Sequence, residues 1–219
     1  MNRLVAALAA LSLASTSLAG FYREISVDGD SGDWAGVPIA AIDASGDSSS
    51  AVDFGNLYLA NDDQFLYLRF TLHAGADPFT FMSNTFIDAD ANSSTGFAAV
   101  GGLVGSELLI QSGAGYQQKN GAFNEGGVNG LDFLSAGNGS QTDFEFRVSL
   151  NATYASDGLP VFNGSDLAIL LETDDPSWNV GDVLSGGVNY SLAAVPEPSV
   201  WLLGSLVTLG TALCGRRQR

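Results

Sequence analysis

Short runs of alternating apolar and polar residues, each ended by Gly, Asn or Asp, place the strongest constraint on how this chain can fold. Between Thr142 and Leu150 apolar residues fall at every second position, which puts Phe144 and Phe146 on one face of a predicted strand. We expect that face to be core and the opposite face, with Glu145 and Arg147, to meet water. No long segment shows the 3.6-residue period of an amphipathic helix.

The spacing of these runs predicts an all-β fold, a two-sheet antiparallel β-sandwich of jelly-roll type over residues 20–194. The strand candidates are 56–60, 65–71, 80–87, 107–111, 142–150, 167–173 and 189–193. Strand 65–71 carries aromatics on both faces and is predicted to be central, paired with 56–60 across a polar turn. Residues 101–139 predict one hairpin and a long surface loop. A β-helix is the rival fold, but no repeat of fixed period is present.

The charge balance excludes several classes of function. Of the 219 residues, 24 are acidic and eight are Lys or Arg, which gives a formal net charge of −16. With Lys119 as the only lysine, little is available to neutralise a phosphate backbone, so no nucleic-acid partner is expected. The single Cys excludes an intrachain disulfide and a Cys-rich zinc site, and the single His excludes a multi-histidine metal centre.

The first 19 residues have the layout of a secretory signal. Arg3 precedes the apolar stretch Leu4–Leu13, and the small-residue pattern Ser17-Leu18-Ala19 places the expected cleavage before Gly20. We therefore predict an N-terminal signal helix over residues 1–19 and an exported mature protein. A short buried helix is the alternative, but it would need polar positions at helical spacing, and this stretch has almost none.

The last 25 residues combine a proline break, an apolar span and a basic end. Pro196 and Pro198 precede the uncharged stretch Val200–Gly215, and Arg216 and Arg217 follow it. As a helix the stretch would cover roughly 24 Å, a little short of the roughly 30 Å hydrocarbon core. We predict a marginal transmembrane helix whose basic tail stays in the cytoplasm, which leaves residues 20–194 outside.

Residues 195–219 resemble the PEP-CTERM sorting signal, in which Val-Pro-Glu-Pro, a short hydrophobic helix and an arginine cluster follow in this order. The resemblance implies a Gram-negative bacterium that makes exopolysaccharide. It implies that a membrane-embedded exosortase recognises Pro196, Glu197 and Pro198. The chain would then pass transiently through the inner membrane, lose its tail, and reach the cell surface or the polymer matrix. A plain membrane anchor is the alternative.

An acidic loop follows the strand candidate 80–87. Asp88, Asp90 and Asn92 occupy alternate positions, a spacing that can bring side-chain oxygens onto one Ca²⁺ ion. Position twelve, where an EF-hand has Glu, is Ala99, so a further carboxylate must come from elsewhere, and Glu107 is our candidate. The alternative is an Asx-rich turn whose side chains bind their own backbone amides.

A second acidic run opens the predicted domain. Asp28-Gly29-Asp30 predicts a turn, and Trp34 predicts a large core residue. A second ion held by Asp28, Asp30 and Asp33 is the alternative interpretation of this run.

Four motifs together resemble the sandwich domains related to family 9 carbohydrate-binding modules and DOMON-type domains. They are Asp28-Gly29 to Asp33-Trp34, Asn61-Asp62-Asp63, Asp88-x-Asp90-x-Asn92 to Thr95-Gly96, and Gly105-Ser106-Glu107. The resemblance spans roughly residues 25–173. It implies a carbohydrate-binding-module-like sandwich that binds without catalysis and often holds a structural calcium ion.

Sugar binding would require exposed aromatic rings beside carboxylates or amides. Trp178, in an acidic loop, is the best candidate, followed by Tyr116 and Tyr154; the alternative for each is a partly buried ring that fixes a loop. No nucleophile elbow, phosphate-binding glycine loop or His-Glu-x-x-His motif is present, and His73 is the only imidazole. A glycosidase needs only two facing carboxylates, which sequence alone cannot select in so acidic a chain.

The sequence therefore predicts an exported, exosortase-sorted surface or matrix protein that is not an enzyme. Its domain is expected to bind exopolysaccharide or another glycan and to be stabilised by Ca²⁺. A secreted polysaccharide hydrolase and a purely structural acidic matrix protein are the alternatives.

Overall fold

The computed structural model describes residues 18–195. This part of the chain folds into fifteen strands and the 3₁₀ helix Ser31–Trp34. The strands are β1 Leu18–Ala19, β2 Ile39–Ile42, β3 Phe54–Asn61, β4 Phe65–Leu72, β5 Ser83–Asp88, β6 Phe97–Ala99, β7 Val104–Ser106, β8 Leu108–Gln111, β9 Ala114–Lys119, β10 Ala122–Asn129, β11 Leu134–Gly137, β12 Asp143–Ser149, β13 Thr153–Tyr154, β14 Asp166–Asp174 and β15 Val180–Ser191.

Two packed sheets form the domain, and the small hairpin β6–β7 forms a separate two-stranded sheet. The larger sheet has the order β1-β15-β14-β5-β8-β9-β10-β13, and the smaller has the order β11-β12-β4-β3-β2. Apart from the parallel pair β1–β15, the strands within each sheet pair antiparallel. The predicted all-β, sandwich-like fold is confirmed for the described residues.

The predicted central hairpin is present as β3 and β4. Strand β4 lies between β3 and β12, with Leu68 opposite both Leu59 and Phe146. Its even-numbered residues, among them Leu66, enter the core between the sheets, while Tyr67 enters a second apolar cluster on the outer face. Aromatics on both faces therefore marked a strand that is covered on both faces.

The main core fills the space between the two sheets. Leu66, Leu68 and Val148 from the smaller sheet meet Ile169 and Leu184 from the larger one, and all five are essentially inaccessible to water. Each buried aliphatic side chain of this size contributes about 1.5–3 kcal/mol to the free energy of folding.

The prediction that the second face of β12 meets water is wrong. Glu145 is only 3% exposed, because residues 26–37 cover this face of the sheet. Its Oε1 accepts the backbone N–H groups of Asp28 and Gly29, both at 2.7 Å, and its Oε2 accepts the Trp34 indole N–H at 2.8 Å. The carboxylate thereby satisfies three donors that would otherwise be buried without partners. Trp34 is buried, as predicted.

The prediction of a long surface loop within residues 101–139 is also wrong. This stretch supplies β7, β8, the hairpin β9–β10 and β11, and β8, β9 and β10 belong to the larger sheet. Glycines with positive φ lie at the turns, such as Gly113 (φ 75°) between β8 and β9 and Gly121 (φ 78°) between β9 and β10. Glycine adopts this conformation without steric cost, so the glycine-rich composition marked closely spaced turns rather than one loop.

The hairpin β6–β7 covers the outer face of the larger sheet. Ala99 and Val104 from the hairpin pack against Phe86, Leu109 and Leu170, which form a separate buried cluster. This contact fixes the segment that joins β5 to β8, and the acidic loop lies within that segment.

The ends of the described region meet along one edge. Leu18 and Ala19, predicted to end the signal helix, instead form β1, because their extended backbone pairs with Tyr190 and Ser191 of β15. Residues 1–17 of the predicted signal and residues 196–219 of the predicted sorting region lie outside the described residues. Within residues 18–195, no helix has the length and apolar character needed to cross a membrane.

Candidate functional site

The predicted acidic loop begins at the last residue of β5. Asp88 is 1% exposed, and its two carboxylate oxygens accept backbone N–H groups from opposite sides. Oδ1 accepts from Asn92 at 3.0 Å, and Oδ2 accepts from Gly105 of β7 at 3.3 Å. Asp88 therefore joins the loop to the hairpin that packs over the sheet.

The side chains of the loop also bind its own backbone. Asp90 Oδ1 accepts the N–H of Asn92 at 3.0 Å and the hydroxyl of Thr95 at 3.0 Å. Asn92 Oδ1 accepts the N–H of Ser94 at 3.2 Å. These are the contacts expected of an Asx-rich turn, and the Asp90 carboxylate keeps acceptor capacity on its second oxygen.

Glu107, the candidate for a further carboxylate, lies next to the acidic loop and forms a cluster with it. Carboxylate oxygens of Asp88, Asp90 and Glu107 lie within 4.8 Å of one another. Glu107 Oε2 accepts the N–H of Ala89 at 2.9 Å, whereas Oε1 is buried and has no hydrogen-bond partner. Burial raises the pKa of Glu107 to about 7, and the nearby charges of Asp90 and Asp88 act in the same direction. An oxygen-rich, negatively charged cluster with an unsatisfied buried oxygen fits a Ca²⁺ ion.

Two glycines allow the loop to approach the hairpin this closely. A Cβ atom on Gly105 would lie 2.8 Å from the backbone oxygen of Asn92 and 2.9 Å from the backbone carbon of Ser93. At Gly96 (φ 64°) a Cβ would lie 2.6 Å from Glu107 Oε1. The Thr-Gly and Gly-Ser-Glu motifs therefore have a steric role in forming the cluster.

A second acidic cluster lies on the far side of the domain. Carboxylate oxygens of Asp43, Asp47 and Asp182 lie within 4.8 Å of one another. Burial raises the pKa of Asp43 to about 6, with further contributions from Asp182 and Asp47. Sequence reasoning missed this cluster because Asp182 is remote in the chain and lies inside a strand.

The run that opens the domain makes local turns. Asp28 Oδ1 accepts the N–H of Asp30 at 2.8 Å, Asp30 Oδ1 accepts the N–H of Gly32 at 3.0 Å, and Asp33 Oδ2 accepts the N–H of Ser26 at 3.0 Å. These carboxylates thus bind the backbone that encloses Trp34, which is what the turn interpretation predicted.

Among the three sugar-binding candidates, Trp178 is the exposed one, with a relative accessibility of 62%. It packs on Phe81, which is 57% exposed; the ring centroids are 5.7 Å apart and the planes are tilted by 39°. Sequence reasoning missed Phe81 because it was assigned to the strand candidate 80–87, whereas it lies in the turn before β5.

The loop that carries Trp178 is held in shape by hydrogen bonds. Asp175 Oδ1 accepts the N–H groups of Ser177 at 2.7 Å and Asn179 at 3.0 Å, and these contacts lower the pKa of Asp175. The N–H of Trp178 donates to the backbone oxygen of Asp175 at 2.9 Å. Trp178 itself has a φ of 63°, a conformation that bulky residues rarely adopt.

A cleft of about 170 Å³ is lined by Thr80 and Met82, the neighbours of Phe81 in sequence, and by Pro176 of the loop that carries Trp178. It lies between the segment around Ser50, the turn before β5 and the loop after β14. Asp77 and Asp174 contribute carboxylates, Thr80 contributes a hydroxyl, and Pro176 contributes an apolar face. We call Phe81, Trp178 and this opening the aromatic cleft.

The other two aromatic candidates do not offer open ring faces. Tyr154 of β13 is 9% exposed and belongs to the main core, and burial raises its pKa to about 12. Tyr116 of β9 is partly buried against the cluster beneath β6–β7. Both lie in strands rather than in loops, which is why their rings are packed.

Comparison with known proteins gives a likeness of fold. No family model and no curated protein matches the chain. A family 9 carbohydrate-binding module from Caldicellulosiruptor kristjanssonii, solved with cellotriose, is similar at 14% identity and a TM-score of 0.48, covering 84% of this chain and 97% of that one. A structure of such a module from the same organism with glucose gives 15% identity and a TM-score of 0.49, covering 84% of this chain and 98% of that one.

Proposed function

We propose that the described domain is a non-catalytic carbohydrate-binding module of an exported, surface-sorted protein, and that the aromatic cleft is its glycan site. The observation that carries this proposal is Trp178, which is exposed although its backbone is strained. A residue held in such a conformation costs about 1–3 kcal/mol, and an exposed ring recovers little of that by burial. Binding a ligand accounts for a feature that folding stability does not.

The chemistry of the cleft suits a sugar. Pyranose rings present C–H groups that pack on aromatic faces, and Trp178 and Phe81 form an exposed pair of contacting rings. Asp77, Asp174 and Thr80 line the cleft, and their carboxylates and hydroxyl would supply hydrogen-bond partners for sugar hydroxyls.

Binding measurements with matched variants test the proposal. The purified protein is titrated calorimetrically with the host exopolysaccharide and with neutral and acidic oligosaccharides, including cellotriose. We expect Trp178→Ala and Phe81→Ala each to weaken glycan binding roughly tenfold or more, the effect of losing a central contact. Phe123→Ala, which removes an exposed aromatic outside the cleft, should bind normally. Failure of the native protein to bind any glycan would overturn the proposal, and release of reducing ends would indicate a hydrolase.

We further propose that Asp88, Asp90 and Glu107 hold a structural Ca²⁺ ion, with Asn92 shaping the loop. The unsatisfied Oε1 of Glu107 and the two glycines that allow the loop to pack support this assignment. When bound, the ion would offset the repulsion among three carboxylates. Its role would be to fix the connection between β5 and β8, because Asp88 and Glu107 lie at the ends of that connection.

Sorting at the C-terminal end is the remaining part of the proposed function, and it rests on the sequence of residues 195–219. An exosortase would act at Pro196-Glu197-Pro198 and remove the arginine tail. Intact-mass measurement of protein recovered from the native host should therefore show a chain that lacks Arg216 and Arg217. A retained Arg219 would favour a plain membrane anchor.

A further inference from the structure

The turn that carries Phe81 is anchored to the strands on either side of β5. The oxygen of the Phe81–Met82 peptide accepts a hydrogen bond from Gln111 Nε2 at 2.9 Å, and the N–H of the same peptide donates to Thr80 Oγ1 at 3.3 Å. The Met82 oxygen accepts the backbone N–H of Asp174 on β14 at 2.7 Å. Gln111 is the last residue of β8, so its side chain ties the turn to the strand on the other side of β5.

This anchor matters because the Phe81 ring is exposed. A ring that is 57% exposed is held only weakly by packing, so the backbone must set its direction. Hydrogen bonds at the oxygen and at the N–H of one peptide fix the orientation of that peptide, and therefore the direction in which the Phe81 side chain leaves the turn. Gln111 does not line the aromatic cleft, so it would act on a ligand through Phe81.

A row of polar side chains across β14, β5 and β8 fixes the orientation of the Gln111 amide. Glu172 on β14 is 3% exposed and Asn84 on β5 is 5% exposed. Glu172 Oε2 accepts from Asn84 Nδ2 at 2.6 Å, and Asn84 Oδ1 accepts from Gln111 Nε2 at 2.8 Å. Because Glu172 takes the donor end of Asn84, the acceptor end of Asn84 faces Gln111. Gln111 must then present its nitrogen, whose two N–H groups serve Asn84 and Phe81.

We propose that Gln111 is a positioning residue of the aromatic cleft, which holds Phe81 against Trp178 before a ligand arrives. The inference rests on the proposed glycan site. Without the donor on Gln111, the Phe81–Met82 peptide loses its bond to β8 and the two rings lose their fixed contact. A glycan must then order the rings as it binds, and this ordering lowers its affinity.

The first test of this inference needs no glycan. The Trp178 indole N–H is observed by ¹H–¹⁵N NMR, with Trp178→Phe to identify the signal and Phe81→Ala to show its position without the ring contact. Gln111→Leu has a side chain of similar size and no donor. We expect it to move the Trp178 signal toward its position in Phe81→Ala. An unchanged signal in folded Gln111→Leu would overturn the inference.

Gln118→Leu is the matched control. Gln118 lies on β9 of the same sheet, and its Nε2 donates to Asn124 Oδ1 at 2.8 Å; neither residue lines the cleft. Its loss should also lower the free energy of unfolding but should leave the Trp178 signal in place. Equal movement of the signal in both variants would indicate general loosening of the sheet and would overturn the inference.

Gln111→Glu provides a second variant if Gln111→Leu does not fold. Its carboxylate has nearly the same shape as the native amide, but at pH 8 it cannot donate to the Phe81 oxygen or to Asn84 Oδ1. The Trp178 signal should therefore move in the same direction as in Phe81→Ala. A signal at the native position would count against the inference.

Binding measurements form the second arm, with cellotriose and the host exopolysaccharide as probes. Gln111→Leu should weaken binding by about three- to tenfold, less than Trp178→Ala, because both rings remain and only their ordering before binding is lost. Gln118→Leu should bind as the native protein does. Native affinity in Gln111→Leu would overturn the inference and leave the glycan site in place. A moved Trp178 signal in Gln111→Leu, with no glycan bound by the native protein, would overturn the proposed function and leave the support of Phe81 by Gln111 in place.

Discussion

The buried Oε1 of Glu107 receives no hydrogen bond, so replacing this carboxylate tests the calcium proposal at a single residue. Native protein should melt about 5–10 °C higher in saturating Ca²⁺ than in chelator, the shift expected from about 2.7 kcal/mol of linkage at a hundred times the Kd. Glu107→Gln should lose this shift. In chelator it should melt at or above the native temperature, because a buried amide costs less than a buried charge.

Glu125→Gln is the matched control for Glu107→Gln. It removes one negative charge from an exposed position paired with Lys119, so the shift with Ca²⁺ should persist. If the native protein melted at the same temperature with and without chelator, no Ca²⁺ ion would stabilise the fold at this site.

Single residues of the sites could be predicted when the residues that meet lie close together in the sequence. Asp88 and Asp90 were proposed from their alternate spacing, and Glu107 was the candidate for a further carboxylate from elsewhere in the chain. Phe81 could not be predicted as the partner of Trp178, because the contact forms only when the turn before β5 meets the loop after β14.

Packing between elements makes Gly105 of β7 a sharp test of how the acidic loop is held. In Gly105→Ala the new methyl group would meet backbone atoms of Asn92 and Ser93, which cannot rotate away as a side chain could. We expect a loss of about 1–3 kcal/mol in the free energy of unfolding by urea. The shift on adding Ca²⁺ should also shrink, because the loop is displaced.

Gly139→Ala is the control at this scale. A Cβ atom there meets nothing within 4 Å, so stability should stay within about 0.5 kcal/mol of the native value. If Gly105→Ala proved as stable as Gly139→Ala, the close contact between loop and hairpin would not be required for folding.

Strands could be predicted where apolar and polar residues alternate strongly. They could not be predicted where glycines interrupt this alternation. The hairpin β3–β4 and strands β12 and β14 were located within about two residues, the usual uncertainty of an element end. Strands β9 and β10 carry few apolar residues, so their pairing is visible only in the fold. The burial of Glu145 was likewise hidden, since the segment that covers it comes from the start of the domain.

At the scale of the whole molecule, the net charge of −16 and the buried carboxyls both lower the stability of the fold as pH rises. The pKa of Asp43 is raised to about 6 and that of Glu172 to about 7, mainly by burial in both cases. Between the ordinary carboxyl pKa and these values the folded chain holds more protons than the unfolded chain. The contribution of these two carboxyls to the free energy of unfolding is therefore largest near pH 4 and is lost as pH rises toward 7. Repulsion among ionised carboxylates adds to the loss.

We therefore expect the free energy of unfolding, measured with urea in chelator, to be highest near pH 4 and to decline up to about pH 7. Glu172→Gln should flatten the part of this decline near pH 7, because the amide stays neutral in both states. Glu125→Gln, which alters an exposed carboxylate, should leave the shape of the profile unchanged. Stability that instead increased steadily from pH 5 to 8 would mean that Asp43 and Glu172 are ionised throughout this range in the folded protein.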